Sequence, residues 1–548
     1  MSTLLMTIVL LGIGTIAYFR RTVNGNITGQ SGNLVLIVNE VDAVANENFS
    51  ITLERSETEN FILPDDSGSF DLNIDATGST DNVGVNISIS RTNLPDNLNF
   101  YLDSDHTHPL GTYGIVIPKS NDMTKTITIY WFWDGSKDDE NDSLFIDKTI
   151  SANVSVNASI AKSLYETLRN SSPIVDTDVD FGSHVSIASG GTEGYDNGLI
   201  MRDGTQADEY PIIYYRGEVS NNNVIFANYC WLIVRTTETG GIKLFYNGEV
   251  NEHGGCYNYS GVNGGEYSQS DYDNYLAGVI NSSGITFNND VDISSGENGD
   301  SPVYAGYMYN DDNKFYDYST GVLDASGYIG HLANNSIDSE TGRHVQNLKD
   351  SRAKKIIDEW YEANILGKPE ENLLEDTVWC NDRSVIDETY SIENFTTNNL
   401  FYFAAQTRRN GVIDQNTGRP MPNTVKPSLI CNRNIDKFTV ESSNGNGDLA
   451  YPIGMLTADE VVFAGLDEAH GWWGKTTTYL SVFLGNESYW TMSPSYFYEY
   501  GVGMFEVNDS EFLHGYIYSS NIRPAISLAN RASIISGNGS FVSPYRVG

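Results

Sequence analysis

Several short stretches of this chain alternate apolar and polar residues, and this period of two is the strongest constraint on its fold. A strand that buries one face needs an apolar side chain at every second position, so such stretches predict strands. Turns rich in Gly, Asn and Asp join them, which indicates a β-sandwich over residues 26–160. The alternating runs are 33–38, 49–53, 83–89, 125–133 and 150–158.

Residues 161–548 are less regular and predict a larger α+β region. Residues 223–235 and 242–248 are apolar and rich in branched side chains, and Gly240-Gly241 lies between them. This arrangement predicts a hairpin. The expected fold class is therefore mostly β, with residues 1–25 forming a separate hydrophobic segment at the start.

The strongest helix pattern covers residues 350–366, which Ser351 is suited to begin and Gly367 and Pro369 to end. A shorter amphipathic helix is expected at 161–170, at the boundary between the two regions. The apolar stripe of the long helix is expected to be core, and it consists of Ala353, Ile356, Ile357, Trp360, Tyr361 and Ile365.

The charge of the chain excludes several classes of partner. It has 548 residues, with 72 acidic and 32 basic residues and a formal net charge of -40. A phosphate backbone or an anionic lipid surface requires a basic face, so we expect no nucleic-acid partner and no binding to lipid headgroups. Aromatic residues make up 12% of the chain, which argues for a folded protein and against a disordered acidic one.

The four cysteines predict disulfides. Cys230, Cys256, Cys380 and Cys431 form no CxxC pair and lack the clustered spacing of a zinc site. We prefer sequential pairing, Cys230 with Cys256 and Cys380 with Cys431, and the two other pairings stay open. Disulfides would indicate an oxidising compartment, so we expect an extracellular or cell-surface location.

Residues 4–19 form an apolar run that is shorter than the roughly 20 residues needed to span a bilayer. The run fits the core of a signal peptide, although no basic residue precedes it and Arg20-Arg21 follow it. Either the segment is cleaved or it is retained as an anchor. Membrane contact is expected only through this segment, and only if it is uncleaved.

The first region resembles a known family in several places. Residues 12–19 resemble the signal-to-mature junction of the TasA/camelysin class of biofilm-matrix fibre proteins, and 32–36 its first mature strand. Residues 130–133 and 145–160 are similar to its closing strands. The resemblance implies a jelly-roll that assembles into fibres by donating an N-terminal strand to a neighbouring subunit. The peptidase activity ascribed to camelysin-type proteins is not expected, because no HExxH motif appears.

The second region resembles a C-terminal domain of surface proteins of Gram-positive gut bacteria. The segments 490–494 (WTMSP) and 522–526 (IRPAI) also resemble the C-type-lectin-like fold shared with relatives of the formylglycine-generating enzyme. The chemistry of that enzyme is not expected, because Cys431 is the last cysteine and lies well before Arg523. We interpret Arg523 as a buried structural fork that holds neighbouring loops together.

Two candidate binding sites stand out. One is an acidic loop with oxygen-bearing side chains at alternate positions, which suits Ca²⁺, although Asp139 stands where an EF-hand loop has Gly. The alternative is a solvated hairpin tip. The other candidate is a set of aromatic residues suited to sugars or peptides, Trp472, Trp473, Tyr496 and Tyr498. The calcium candidates are Asp134, Ser136, Asp138, Glu140 and Asp142.

We expect no enzyme, because no GxSxG or GxGxxG motif appears in a suitable context and the histidines are scattered. The leading hypothesis is a structural surface or fibre-forming protein that self-associates and displays a large C-terminal domain. The alternative is a monomeric adhesin that binds a carbohydrate or protein ligand at the cell surface or in the matrix. The third is an enzyme with an unrecognised site.

Overall fold

The structure is a computed structural model, and the signal-peptide, anchor and donor-strand predictions for residues 1–25 lie outside the residues that it describes. The described residues are 34–39, 41–42, 48–54, 62–107, 109–111, 113–136, 142–146, 148–171, 174–176, 181, 198–202, 210–216, 219, 221–251, 253–256, 280, 285, 287, 306–309, 347, 349–384, 401–414, 419–421, 424–465, 489–498, 501–507, 512–515 and 520–548.

The described chain is mostly β, as expected, and it divides into two compact units. The first contains the described residues of Met1–Ser163 together with Ser533–Gly537 and Tyr545–Gly548. The second contains those of Leu164–Ala532 and Asn538–Pro544.

The first unit contains twelve strands among its described residues. They are β1 (Ile37–Val38), β2 (Val41–Asp42), β3 (Asn48–Thr52), β4 (Ser67–Asp75), β5 (Val83–Ser90), β6 (Leu98–Tyr101), β7 (Tyr113–Ile117), β8 (Thr124–Trp133), β9 (Ser151–Ile160), β10 (Lys162–Ser163), β29 (Ser533–Ser536) and β30 (Tyr545–Val547). A 3-10 turn covers Asp142–Leu144.

Two sheets carry most of this unit. One has the order β2-β1-β4-β8-β6 and the other the order β3-β9-β5-β7, and every pairing is antiparallel. Each of the five alternating runs contains a strand. In β8 the alternation buries Ile127, Ile129, Trp131 and Trp133, and these side chains share one hydrophobic core with residues of β5 and β9 from the other sheet. The period of two therefore identified the buried faces.

The end of the chain returns to the first unit. Strand β29 pairs with β10, and the Ile535 carbonyl accepts a hydrogen bond from the Ser159 hydroxyl at 3.1 Å. Gly84 on β5 lies so close that a Cβ there would be 3.2 Å from the Ile535 backbone. A glycine at this position lets the returning strand approach the sheet.

The second unit contains eighteen strands among its described residues. They are β11 (Ile174–Asp176), β12 (Gly198–Arg202), β13 (Ile212–Arg216), β14 (Asn223–Phe226), β15 (Tyr229–Thr236), β16 (Ile242–Glu249), β17 (Met308–Tyr309), β18 (Lys349–Asp350), β19 (Trp379–Cys380), β20 (Phe401–Tyr402), β21 (Ile413–Asp414), β22 (Arg419–Pro420), β23 (Lys437–Phe438), β24 (Ile453–Gly454), β25 (Tyr489–Tyr498), β26 (Gly501–Val507), β27 (Phe512–Gly515) and β28 (Ala525–Leu528).

Strand β15 is central to this unit. It pairs with β14 and β13, and it forms the predicted hairpin with β16. Strand β16 also pairs with β28, which in turn pairs with β24. The predicted run 223–235 is interrupted by Ala227 and Asn228, both at positive φ, which form the turn between β14 and β15. Strands β13 and β14 are buried throughout, and β15 and β16 are buried except at one end. A second sheet has the order β20-β25-β26-β27.

The predicted long helix is confirmed as α2, with Ser351 as its N-cap. Trp360 of this helix packs against Tyr229, Trp231 and Tyr246 of the β15–β16 hairpin, so its stripe is core as expected. The helices are α1 (Leu164–Arg169), α2 (Arg352–Asn364), α3 (Ala404–Asn410) and α4 (Ala458–Phe463), with 3-10 turns at Pro369–Leu373 and Asn434–Asp436.

Arg523 acts as the predicted structural fork. Its guanidinium is buried and donates hydrogen bonds to the Tyr246 carbonyl and the Asn247 side-chain oxygen, and it lies 4.1 Å from the centre of the Phe245 ring. In the part of the chain that the structure describes, no helix has the length and apolar character needed to cross a membrane.

The N-cap of α2 provides a test of this local structure. The Ser351 hydroxyl accepts a hydrogen bond from the Lys354 backbone N–H at 3.0 Å. We expect Ser351→Ala to lower the free energy of unfolding by about 1 kcal/mol, because this N–H then loses its partner. Denaturant unfolding measures the change, with Glu359→Ala on the exposed face of α2 as control. Equal stability of the two variants would contradict the capping role.

Candidate functional site

A cleft of about 420 Å³ opens in the second unit. Its walls come from the end of the β15–β16 hairpin, the segment 375–382, helix α3, the segment 428–431 and the start of α4. Ten of the 21 described lining residues have charged side chains, and acidic ones outnumber basic ones by two. They are Arg235, Lys243, Arg408, Lys437, Glu238, Glu375, Asp376, Asp382, Asp459 and Glu460.

Glu460 joins two buried cations in the wall of the cleft. Its Oε1 accepts hydrogen bonds from Arg235 Nε at 2.8 Å and from Lys243 Nζ at 2.7 Å, and all three side chains are nearly inaccessible to solvent. Burial alone would raise the pKa of Glu460, but Lys243 and Arg235 together outweigh it and lower the pKa to about 2. Glu460 is therefore an anion at neutral pH.

The local fold of α4 orients this carboxylate. Thr457 is the N-cap, and its hydroxyl accepts from the Glu460 backbone N–H at 3.1 Å. In return Glu460 Oε2 accepts from the Thr457 N–H at 3.0 Å, which completes a capping box. One oxygen of Glu460 thus caps the start of α4, while the other accepts hydrogen bonds from the two cations.

Arg408 of α3 makes a second charge network beside the first. Its Nε and Nη2 atoms donate to the two oxygens of Asp459 at 2.8 and 2.9 Å, and Nη1 donates to Asp382 at 2.7 Å. Burial would lower the pKa of Arg408, but Asp459 and Asp382 raise it above its ordinary value. Asp459 also accepts from the Ser428 N–H at 2.8 Å, so this pair fixes a further wall segment.

The disulfide Cys380–Cys431 fastens the opposite wall, and both cysteines line the cleft. Behind it Arg383 and Asp436 form a buried ion pair of 2.7 Å. The strand pair β19–β23 places Lys437 directly opposite Cys380. Covalent and ionic links therefore hold this wall independently of any ligand.

Glu375 differs from the other buried acids of the cleft. Its two oxygens accept hydrogen bonds from the hydroxyls of Thr237 and Thr239. Burial raises the pKa of Glu375, and those hydroxyls oppose the rise. A Cβ at Gly241 would overlap Glu375 Oε2 and the Leu528 carbonyl oxygen, so the predicted Gly-Gly turn also makes room for this carboxyl.

The next residue, Asp376, has a structural task. Its oxygens accept from the backbone N–H groups of Val440 and Glu441, both at 2.8 Å, and from the Asn444 side-chain amide at 3.1 Å. Asp376 thereby ties the 440–444 turn to the mouth of the cleft.

The preferred disulfide pairing is confirmed. Cys230–Cys256 and Cys380–Cys431 are both bonded, with Cα atoms 5.7 Å apart in each. Cys380 therefore has no free thiol.

The structure describes only part of the loop for which calcium binding is predicted. Asp138 and Glu140 lie outside the described residues. Asp134 accepts from the Ser136 hydroxyl, while Asp142 is buried and accepts from the Trp133 indole N–H at 3.1 Å. Among the described residues no group of three or more His, Cys, Asp or Glu side chains is arranged to hold a metal ion. Calcium binding by the whole loop stays a prediction.

The predicted aromatic ligand site is also described only in part. Trp472 and Trp473 lie outside the described residues. Tyr496 and Tyr498 belong to β25, where Tyr496 pairs with Tyr402 of β20 and Tyr498 with Gly501 of β26.

The charge networks of the cleft were not predicted from the sequence. One signal was present, because Thr457 and Glu460 have the spacing of a capping box. A second was the presence of Arg235 and Lys243 in runs that are otherwise apolar. Neither signal identifies a partner, since Lys243 and Glu460 are 217 residues apart.

Comparisons of this chain with protein-family models, with curated proteins and with solved structures found no match. Its function is therefore argued from the geometry of the cleft.

Glu460→Gln tests the first charge network. We expect it to lower the free energy of unfolding at pH 7 by about 3–5 kcal/mol, because Lys243 would stay buried without a counter-charge and Arg235 would keep only Glu238, 3.7 Å away. The pKa of Glu460 falls from 4.5 to about 2 on folding. Its contribution is therefore present above pH 4.5 and is lost as the pH falls towards 2. Denaturant unfolding at pH 7 and pH 3 should show the difference from the native chain shrinking on acidification.

Glu375→Gln is the matched control for Glu460→Gln. The pKa of Glu375 is raised by folding, so its ionised form costs stability at neutral pH. We expect the Gln variant to be as stable as the native chain at pH 7, or more stable. Equal destabilisation by the two substitutions would contradict the opposite shifts in the pKa values of Glu460 and Glu375.

The two disulfides should differ in reactivity. Cys380 is only half-buried and lines the cleft with Cys431, whereas Cys230 and Cys256 are 0% and 1% exposed. Because thiol–disulfide exchange needs access to a sulfur, we expect mild reductant to open Cys380–Cys431 first. Alkylation with two distinguishable reagents, before and after full reduction, followed by mass spectrometry measures the order. Simultaneous opening, or the reverse order, would contradict the expected difference in access.

Proposed function

We propose that this chain is an extracellular surface protein that binds a ligand in the cleft of its second unit. The observation that carries the proposal is the cleft itself, since about 420 Å³ is within the usual size of ligand sites. Its walls are fixed by buried ion pairs and a disulfide, so little ordering would be needed on binding.

The charge states of the lining favour binding over catalysis. Glu460 keeps its negative charge down to about pH 2, and the pKa of Arg408 is raised. Groups that keep one charge state around neutral pH do not transfer protons during a reaction. Arg235 and Lys243 both donate to Glu460, and the pKa of Arg235 is raised, whereas burial lowers the pKa of Lys243. We therefore prefer an adhesin-like role to an enzymatic one.

The extracellular location is supported by the two disulfides, which form in oxidising compartments. The net charge of -40 suits a protein that stays soluble outside the cell. We further propose that the first unit is a jelly-roll-like β-sandwich, because residues of both its sheets share one core. The C-type-lectin-like fold of the second unit stays a proposal that rests on sequence resemblance.

A second candidate function is assembly into fibres through a donated N-terminal strand. The observation that favours it is the order of the two sheets in the first unit. In the described part of the chain β6 is the last strand of one sheet and β7 the last strand of the other. An edge strand can accept an additional strand from another subunit by backbone hydrogen bonding.

Blocking the cleft tests the binding role. Ile430 lines the cleft and is 40% exposed, so Ile430→Trp should narrow the mouth without disturbing the core. Val542→Trp is the matched control, since Val542 is 70% exposed and does not line the cleft. We expect glycan and peptide arrays to reveal a ligand that the native chain and Val542→Trp bind and Ile430→Trp does not. Silent arrays, or equal binding by both variants, would overturn the proposal.

Electron microscopy tests the second candidate. The purified chain is observed over a range of pH and calcium concentration, and fibres are the expected result if a strand is donated between subunits. Single particles under every condition would reject the assembly role and leave the binding role untouched.

A further inference from the structure

We infer that the cleft receives a cationic side chain, the ammonium or guanidinium group of a lysine or arginine in a peptide segment, with Glu375 as its principal partner. This inference rests on the proposed binding role of the cleft and names the class of ligand. It follows from the charges that remain once the internal ion pairs of the lining are made.

The internal pairs leave an excess of negative charge. Arg235 and Lys243 neutralise Glu460, and Arg408 is shared between Asp459 and Asp382. Glu238 lies 3.7 Å from Arg235, so the charged residues of the described lining outside these ion pairs are Lys437, Glu375 and Asp376. Acceptor groups therefore outnumber cations, and a ligand with positive charge and several donors complements them.

Glu375 is the acid best placed to bind such a group. Its backbone N–H donates to the Ser527 carbonyl at 2.8 Å, which anchors it beside β28. Its carboxyl is held by two threonine hydroxyls and not by a cation within 4 Å among the described ion pairs. Arg531 acts on it only at longer range.

The cost of this arrangement supports a ligand-binding role. A half-buried carboxylate without a counter-cation destabilises the folded chain, and the rise in its pKa reflects that cost. Gly241 leaves the space that this carboxyl occupies. A ligand cation would supply the missing charge through charge-assisted hydrogen bonds.

Two other features of the lining select a peptide side chain as the source of the cation. Val378, Leu429 and Ile430 form an aliphatic part of the lining, against which the methylene stem of Lys or Arg can pack. Among the lining residues that the structure describes there is no aromatic ring, whereas an amino sugar would favour a ring on which to stack. Glu238, whose side chain is 30% exposed and lies 3.7 Å from Arg235, is a weaker second partner nearer to solvent.

The test is calorimetric titration of the full native chain with defined probes. We expect acetyl-lysine amide, acetyl-arginine amide and short peptides that carry these residues to bind, and the neutral norleucine analogue not to bind. Glucosamine and a simple alkyl diamine carry the same cation on other frameworks, so tighter binding of either one would overturn the assignment to a peptide. Increasing salt should weaken binding, because the attraction is partly Coulombic.

Variants connect the binding to the named residues. Glu375→Gln should weaken lysine-probe binding by about tenfold or more, while leaving the chain at least as stable as the native one. Glu238→Gln should weaken it only about two- to fourfold, because an exposed charge contributes less. Glu359→Gln, on the exposed face of α2, is the control and should bind as the native chain does.

The outcomes separate this inference from the proposed function. Native-like binding of the lysine probe by Glu375→Gln, or equal binding of the norleucine analogue, would overturn the inference. If the arrays yield a neutral or anionic ligand that Ile430→Trp fails to bind, the cleft is a binding site but not for a cation. If Ile430→Trp affects no ligand at all, the proposed function itself fails. Should Glu375→Gln unfold, Glu375→Asp provides the same comparison, because it keeps the charge but withdraws it by one methylene.

Discussion

The interaction on which the second unit most depends is the buried carboxylate of Glu460, shared between Arg235 and Lys243. It joins helix α4 to the two strands of the central hairpin. Three charges without solvent are tolerated only because each has a partner at hydrogen-bonding distance. Loss of Glu460 would leave Lys243 buried without a counter-charge, so the position of α4 on the sheet is specified by these contacts as well as by apolar packing.

This polar layer also explains why a cleft exists at this place. Apolar side chains close together until no space is left, whereas charged side chains stop at the distances that their hydrogen bonds require. Around Glu460 and Arg408 the walls are therefore set by directional pairs. The disulfide Cys380–Cys431 and the Arg383–Asp436 pair hold the remaining wall. The result is a rigid opening in which the carboxyl of Glu375 is held by threonine hydroxyls and that of Asp376 by backbone and amide N–H groups.

Much of the secondary structure was predictable from the sequence. The alternating runs contain strands, the Gly-Gly turn lies in the β15–β16 hairpin, and Ser351 caps α2. Each of these signals is confined to about ten residues, where periodicity and turn chemistry act directly. The preferred disulfide map is correct for a related reason, because cysteines close in the chain are the easiest to bring together.

The residues of the candidate site, unlike the secondary structure, could not be predicted from the sequence. The sequence directed attention to clustered aromatic residues and to an acidic loop, whereas the described cleft is assembled from single charged residues of distant segments. Thr457 and Glu460 have the spacing that predicts the start of a helix, but nothing near them in the chain indicates that Arg235 and Lys243 are the ion-pair partners of Glu460. The packing of Ile535 against the first unit likewise cannot be predicted from neighbouring residues. Only that contact explains why a glycine is required at position 84.

The sequence by itself therefore determined which stretches become strands, where the long helix begins, that the chain is acidic and which cysteines pair most readily. Only the tertiary structure decided which charges meet, that Glu375 stays without a cation, and where a cleft opens. The physical reason is the distance along the chain over which each effect acts. Backbone propensity and side-chain periodicity act between neighbours in the chain, whereas Lys243 and Glu460, 217 residues apart, are brought together only by the packing of sheet and helix.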